Sequence, residues 1–339
     1  MTGHSANSPL FIDMPRMLAR LALWAMCLAF MAHAGAAPQI QHWETAHGAR
    51  VYFVQAMELP MVDIQLVFDA GSARNGDKPG LALLTSSLLD DGAGELDADA
   101  IAAGFENLGA QFGASSLRDM GSVTLRSLSD PAHLDPALDL LALILRAPTF
   151  PADALERERN QMLIALQSQE QSPEDIANNA FFRAVYGDHP YAADPLGTPD
   201  SLQGLARSDL EDFYRRYYVA RNAVIALVGA LDRVDAERIA QRLADGLAAG
   251  ARAAPLPPVT PLTEATTVHV EYPSSQTHIL VGAAGMTRDD PDYFPLYVGN
   301  HVLGGSGLVS RISNAVREKR GLAYRSYSYF APVRAAGPY

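Results

Sequence analysis

Residues 62–89 read VDIQLVFDAGSARNGDKPGLALLTSSLL. Val62, Ile64, Leu66 and Phe68 alternate with Asp63, Gln65 and Val67, the two-residue period of a strand with one buried face. The strand runs over 61–72 and ends in a glycine turn. From about Pro79 the apolar residues return at helical spacing, with proline at a place the first turn of a helix tolerates. Strand, glycine turn and helix make one unit, and the adjacent Ser86 and Ser87 interrupt the apolar run of its helix.

Outward from this unit the same alternation of elements continues. ARVYFVQ (49–55) reads as a second strand. Residues 97–112 have apolar side chains at helical spacing with Asp97 or Asp99 as a cap. SVTLRSL (122–128) is a strand, and 133–148 a helix closed by Pro148. A long helical stretch over 151–187 breaks near Pro173. Residues 209–219 form a short helix, 222–231 a buried strand and 234–249 an amphipathic helix.

Prolines 255, 257, 258 and 261 then predict an extended linker. The expected domains are therefore 40–250 and 265–339, joined by 251–264. After the linker, TTVHVEYP and THILVGAAGM repeat the pattern of two strands before a helix. THILVGAAGMTRDDPDYFPLYVGNHVL can be laid beside the opening stretch as strand, turn, charged loop and helix, an internal duplication at whole-domain period. The fold class expected is α/β (α+β): two similar domains, each a mainly antiparallel sheet with helices on one face. By that symmetry about 110 residues would follow Tyr339, so the second domain is expected to be incomplete.

Composition narrows the function classes. The chain has 339 residues, 48% hydrophobic and 19% charged, the profile of a core-forming globular protein. MPRMLARLALWAMCLAFMAHAGAAP (14–38) has a basic start, an apolar run over 21–31 and small residues near Ala34. That is the layout of a signal peptide (1–34) and predicts a periplasmic or secreted protein, a retained anchor being the alternative. Met14 is a second possible start. Cys27 is the one cysteine and leaves with the signal, so thiolate metal sites and disulfides are excluded. Loss of Arg16, Arg20 and Asp13 takes the formal charge from −12 to −13. An acidic chain with only Lys78 and Lys319 as lysines suits neither nucleic acid nor stable membrane insertion.

Several ordered segments converge on a family. AGSARN and GLALL, then ERERNQML (156–163), the 172–202 stretch, the 209–232 stretch and NHVLGGSGLVSRISNAVREKRGLAY (300–324) resemble the insulinase/pitrilysin zinc peptidases. The mitochondrial-processing-peptidase-like members are closest in layout. The resemblance implies H-x-x-E-H on the helix after the Gly-Leu-Ala of 80–82. Histidines four apart share a helical face and grip zinc, the glutamate serves the metal-bound water, and a distal glutamate completes the ligands. Those places hold Leu83, Ser86 and Ser87, and the distal one falls on Ala165 or its neighbour Ile164. Leucine offers no lone pair and serine is a weak ligand, so no metal site is expected in this chain. The seven histidines beyond residue 34 include no i,i+4 pair, and His189 in GDHPY reads as a turn or surface residue.

Arg317 and Tyr324, in REKRGLAY, match the pair that in the family holds substrate backbone and stabilises the oxyanion. Gly304, Gly305 and Gly307 match a close-packed loop before that helix. The resemblance therefore implies a non-catalytic subunit that binds peptide and presents Arg317 and Tyr324 to a partner carrying H-x-x-E-H and the zinc. An inert scaffold of the same fold, and an active zinc peptidase, are the competing readings.

Overall fold

A computed structural model of the protein describes residues 38–339. The expected signal peptide and Cys27 lie outside the described residues. All elements below belong to the unit Ile40–Tyr339.

Six strands make the main sheet: β1 (Gln41–Glu44), β2 (Arg50–Gln55), β3 (Met61–Phe68), β4 (Gln111–Ser116), β5 (Gly121–Leu128) and β6 (Ala223–Gly229). Their order is β1-β2-β6-β3-β5-β4, with β2 and β6 parallel and every other pair antiparallel. The alternation legible in the sequence assigns the faces. Val51, Phe53, Val62, Ile64, Leu66, Phe68, Val123, Leu125, Ile225 and Leu227 point into the core and are essentially inaccessible. On the other face Asp63 stands directly opposite Arg126, which donates to it through Nε at 2.6 Å and Nη2 at 3.0 Å.

The helices are α1 (Leu81–Ser87), α2 (Ala98–Asn107), α3 (Pro131–Arg146), α4 (Ala152–Glu170), α5 (Pro173–Tyr186), α6 (Pro199–Gly204), α7 (Arg207–Tyr217), α8 (Arg233–Asp245) and α9 (Tyr293–Asn300). Those of the first domain cover the inward face through Leu84, Leu134, Leu138, Leu141, Leu155, Leu210, Phe213, Ile239 and Leu243. Replacing any of these leucines by alanine removes about 2–5 kcal/mol. Asp97 caps α2 by accepting from the Ala100 amide at 2.9 Å, and Ser172 caps α5 with Pro173 at its first position.

Three expectations are corrected. The helix read over 97–112 stops at Asn107, because Gly109 takes φ 62° and turns the chain into strand β4. Helix α1 starts at Leu81, not Pro79. Gly80 is its N-cap at φ 94°, and Asn75 Oδ1 accepts from the Ala82 amide at 2.8 Å. The strands expected at 266–273 and 277–286 are not formed in full. Among the described residues 266–273 has no ladder neighbour, and of 277–286 only its end pairs, through an antiparallel bridge of Ala284 with Pro338 flanked by Ala283–Tyr339 and Gly285–Gly337 backbone bonds. Val270, Ile279 and Val281 stay exposed. Residues 251–264 carry no helix or strand.

Candidate functional site

Helix α1 follows from Gly80, whose positive φ suits glycine and whose Cβ would lie 2.7 Å from Leu202 Cδ2. The helix packs against α4, α7 and the edge strand β4. Along it, Leu83 leans on the core as a half-buried apolar side chain. Thr85 donates to Leu81 O at 2.8 Å, which spends its hydroxyl on its own helix, whereas Ser87 Oγ lies 3.2 Å from Leu84 O and also faces the Glu158 carboxyl. Ser86 is 0% exposed. Its Oγ faces the Tyr218 hydroxyl, and neither oxygen has a partner of good hydrogen-bond geometry. Burial pushes the Tyr218 phenol far above its usual value, so it stays neutral. Tyr218 stacks on Tyr214 (4.8 Å) and on Phe68 (4.7 Å), which closes this space off.

Ala165 lies half-buried on α4. Leu83, Ser86, Ser87 and Ala165 thus sit on two packed helices but present an isobutyl group, two hydroxyls and a methyl. This donor set does not fit zinc, which binds through imidazole, thiolate or carboxylate. Among the described residues no three His, Cys, Asp or Glu are grouped to hold a metal ion.

A residue missed in the sequence is Glu158, two helical turns before Ala165 and on the same face of α4. Burial first, then the nearby Asp91, raises its pKa, and the Ser87 hydroxyl beside it acts against that rise. Its i,i+7 spacing from the distal position was the available signal. His189 is corrected as well. It is buried, not a surface residue: Nδ1 accepts from the Tyr191 amide at 3.1 Å and Nε2 donates to Pro257 O at 3.0 Å.

In the C-terminal stretch, the chain turns from the π-helical Asn314–Glu318 through Gly321 at φ 63°. The Gly321 amide donates to Arg317 O at 2.9 Å and the Leu322 amide to Val316 O at 3.1 Å. This reversal sets the Arg317 guanidinium 5.1 Å from the centre of the Tyr324 ring, a cation–π pair. Tyr324 is 84% exposed, and Arg317 also touches Glu318 at 3.4 Å. Gly304 and Gly305 lie in a π-helical turn, His301–Gly305, rather than in the loop expected, and Gly307 follows at φ 60°. The turn is tied down because Asn300 Nδ2 donates to Ser328 O at 3.1 Å and Ser328 Oγ donates to Asn300 Oδ1 at 2.7 Å. A Cβ on Gly304 would overlap Ser328. The three glycines line a cleft of about 330 Å³ with Tyr297, His301 and Tyr329.

Residues 50–199 match the model of Insulinase (Peptidase family M16), and residues 204–338 that of the Peptidase M16 inactive domain. The crystal structure of a peptidase M16 inactive domain from Pseudomonas fluorescens matches with TM-score 0.87 and 45% identity, over 88% of this chain and 73% of that one. The chain belongs to peptidase family M16. The chain is also similar to the uncharacterized zinc protease YmxG of Bacillus subtilis, 26% identical over 299 residues, or 88% of this chain and 72% of the relative. Another similar protein is cytochrome b-c1 complex subunit 1, mitochondrial, of Bos taurus, 26% identical over 270 residues, or 79% of this chain and 56% of the relative. The chain spans about half the length of the uncharacterized zinc proteases matched in Mycobacterium leprae and Streptomyces coelicolor, 45% and 53%. The two family matches meet near residue 200, whereas β6 lies in the middle of the first M16 sheet.

Proposed function

We propose that this M16 chain is the non-catalytic subunit of a heterodimeric zinc metallopeptidase of the periplasm or the secreted fraction. It binds the peptide and offers Arg317 and Tyr324 to a partner that carries H-x-x-E-H and the zinc. The observation that carries this reading is the state of position 86. Where the family motif needs a glutamate facing the metal-bound water, this chain has a hydroxyl sealed from solvent by Tyr218. A carboxylate placed there would be cut off from water.

Two features support a role in binding. Arg317 and Tyr324 are mutually oriented, with Tyr324 open to solvent and the half-buried Arg317 guanidinium against its ring, where both could meet a carbonyl bound from outside. Strand β4 is the edge of the sheet, so one row of its backbone amides and carbonyls is available to an extended peptide beside α1.

The test is co-expression with an H-x-x-E-H relative from the same genome, followed by peptidase assays of the purified pair. Arg317→Ala and Tyr324→Phe are expected to lower turnover at least tenfold while the complex still assembles. Unchanged turnover in both variants, or the absence of any such complex, would overturn the proposal. The similarity to a cytochrome b-c1 complex subunit supports a second reading, an inert scaffold of the same fold. A stable complex whose output ignores both substitutions would favour it.

A further inference from the structure

Away from the sheet lies a second, smaller apolar cluster. Ala73, Val185, Tyr186 and Tyr191 are its buried members. Leu256 and Val259 from the Pro-rich stretch pack on it, as do Ala284, Val333 and Ala335 from far down the chain. Three regions distant in sequence therefore meet at the C-terminal end of α5.

Polar contacts select how they meet. The chain reverses at 331–338, where the Ala331 amide donates to Pro338 O at 2.9 Å. The tip of this reversal is Arg334–Ala336. Its main chain is held by side chains of the first domain, not by a ladder. The Arg334 amide donates to Asp119 Oδ2 at 2.7 Å, and the Ala335 amide to the Tyr191 hydroxyl at 3.1 Å. The Tyr186 hydroxyl donates to Ala336 O at 3.1 Å. The Arg334 guanidinium pairs with Asp69, which Arg74 also grips through Nε at 2.7 Å and Nη2 at 2.6 Å.

The receiving groups are oriented before the tip arrives. Tyr191 is 0% exposed and donates its hydroxyl proton to Asp119, which leaves its lone pairs for an incoming amide. Asp119 is buried too and has its second oxygen free for another donor. Arg118 fixes the Tyr191 loop from behind, donating to the carbonyls of Tyr191 (2.5 Å) and Ala193 (3.1 Å) with its guanidinium over Phe182. Without the tip, two buried acceptors would lack partners, a costly arrangement.

We propose that Asp69, Asp119, Tyr186 and Tyr191 form a latch for the Arg-Ala-Ala tip 334–336. Together with the His189–Pro257 bond, this latch locks the region beyond the Pro-rich stretch onto the first domain. Its ligand class is a tight backbone turn carrying one arginine followed by small residues, supplied in cis. It stands independently of any role of Arg317 and Tyr324, and its test has no peptidase readout.

The experiment is amide hydrogen exchange on the full chain at neutral pH. The Arg334 and Ala335 amides are expected to exchange at least 100-fold more slowly than in a free peptide. Arg334→Ala and Tyr191→Phe should each lower that protection tenfold or more, while the amides of Met61–Phe68 keep theirs. The Arg334 side chain is about half exposed and fills no core space, so its variant stays informative even where Tyr191→Phe disturbs the cluster. Free-peptide exchange at Arg334 and Ala335 in the unaltered chain, or protection unchanged in Arg334→Ala, would overturn the latch.

Discussion

Position 86 holds a buried serine beside the buried phenol of Tyr218. Two buried hydroxyls face each other without a good hydrogen bond, a small reserve of unfavourable energy. Ser86→Ala is therefore expected to change stability by less than about 1 kcal/mol in urea unfolding, since no bond is lost. Ser86→Glu should cost about 3 kcal/mol or more, because a carboxylate there has neither water nor a cation. His189 makes a pH prediction. Burial lowers its pKa below the ordinary value of 6.5, against the raising effect of the Pro257 bond and Asp119, with Arg118 adding to the fall. The unfolded chain then binds the proton more readily. Its contribution to stability is present above pH 6.5 and is lost as pH falls through the lower folded value. His189→Gln should flatten the stability profile between pH 7 and 5. Glu158 and Asp90 are shifted upward by burial and act in the opposite sense, so the difference between variant and parent is the quantity to measure. The missing ligands at 83, 87 and 165, and the missing base at 86, were legible from residue type alone. The sealing of Ser86 was not, since it depends on Tyr218, brought in from more than a hundred residues away.

At the scale of elements, the apolar period decided most of the outcome. Strands 61–68 and 121–128 and the helices of 131–186 lie where alternation and helical spacing put them. The helix ends were set locally by Gly80 and Gly109, whereas the missed and the unformed strands depend on a neighbour and not on their own residues. QFGASS (111–116) has weak alternation and four small residues, and it is a strand because β5 pairs with it along its whole length. TTVHVEYP has clear alternation and is not a strand, because nothing among the described residues pairs with it. Gly80 carries the element-scale prediction. Gly80→Ala puts a methyl group against Leu202 at φ 94°, so unfolding free energy should drop by about 2 kcal/mol or more, with a matching fall in Tm. A fall below 0.5 kcal/mol would mean that the start of α1 can relax.

For the whole molecule, the α1 region and the region after the Pro-rich stretch differ in character, and the joint around Tyr191 connects them. Helix α1 packs on the core, while residues 300–330 hold a cleft lined by glycines and aromatic rings and, beside it in sequence, the Arg317–Tyr324 pair. This division could be read from the order of motifs, whereas the joint had no motif to announce it: Tyr191, Asp119 and Arg334 become partners only through the fold. Strand order has its own consequence. The strand at 223–229 sits between 50–55 and 61–68, which are made far earlier. At translation rates of about 5–20 residues per second, the two early strands wait roughly 8–30 s for the neighbour that separates them. During that wait they expose unpaired apolar edges as the chain leaves the ribosome. A nascent chain arrested at residue 220 should be protease-sensitive and should recruit a holdase chaperone, while one arrested well past residue 260 should resist digestion through its first 250 residues.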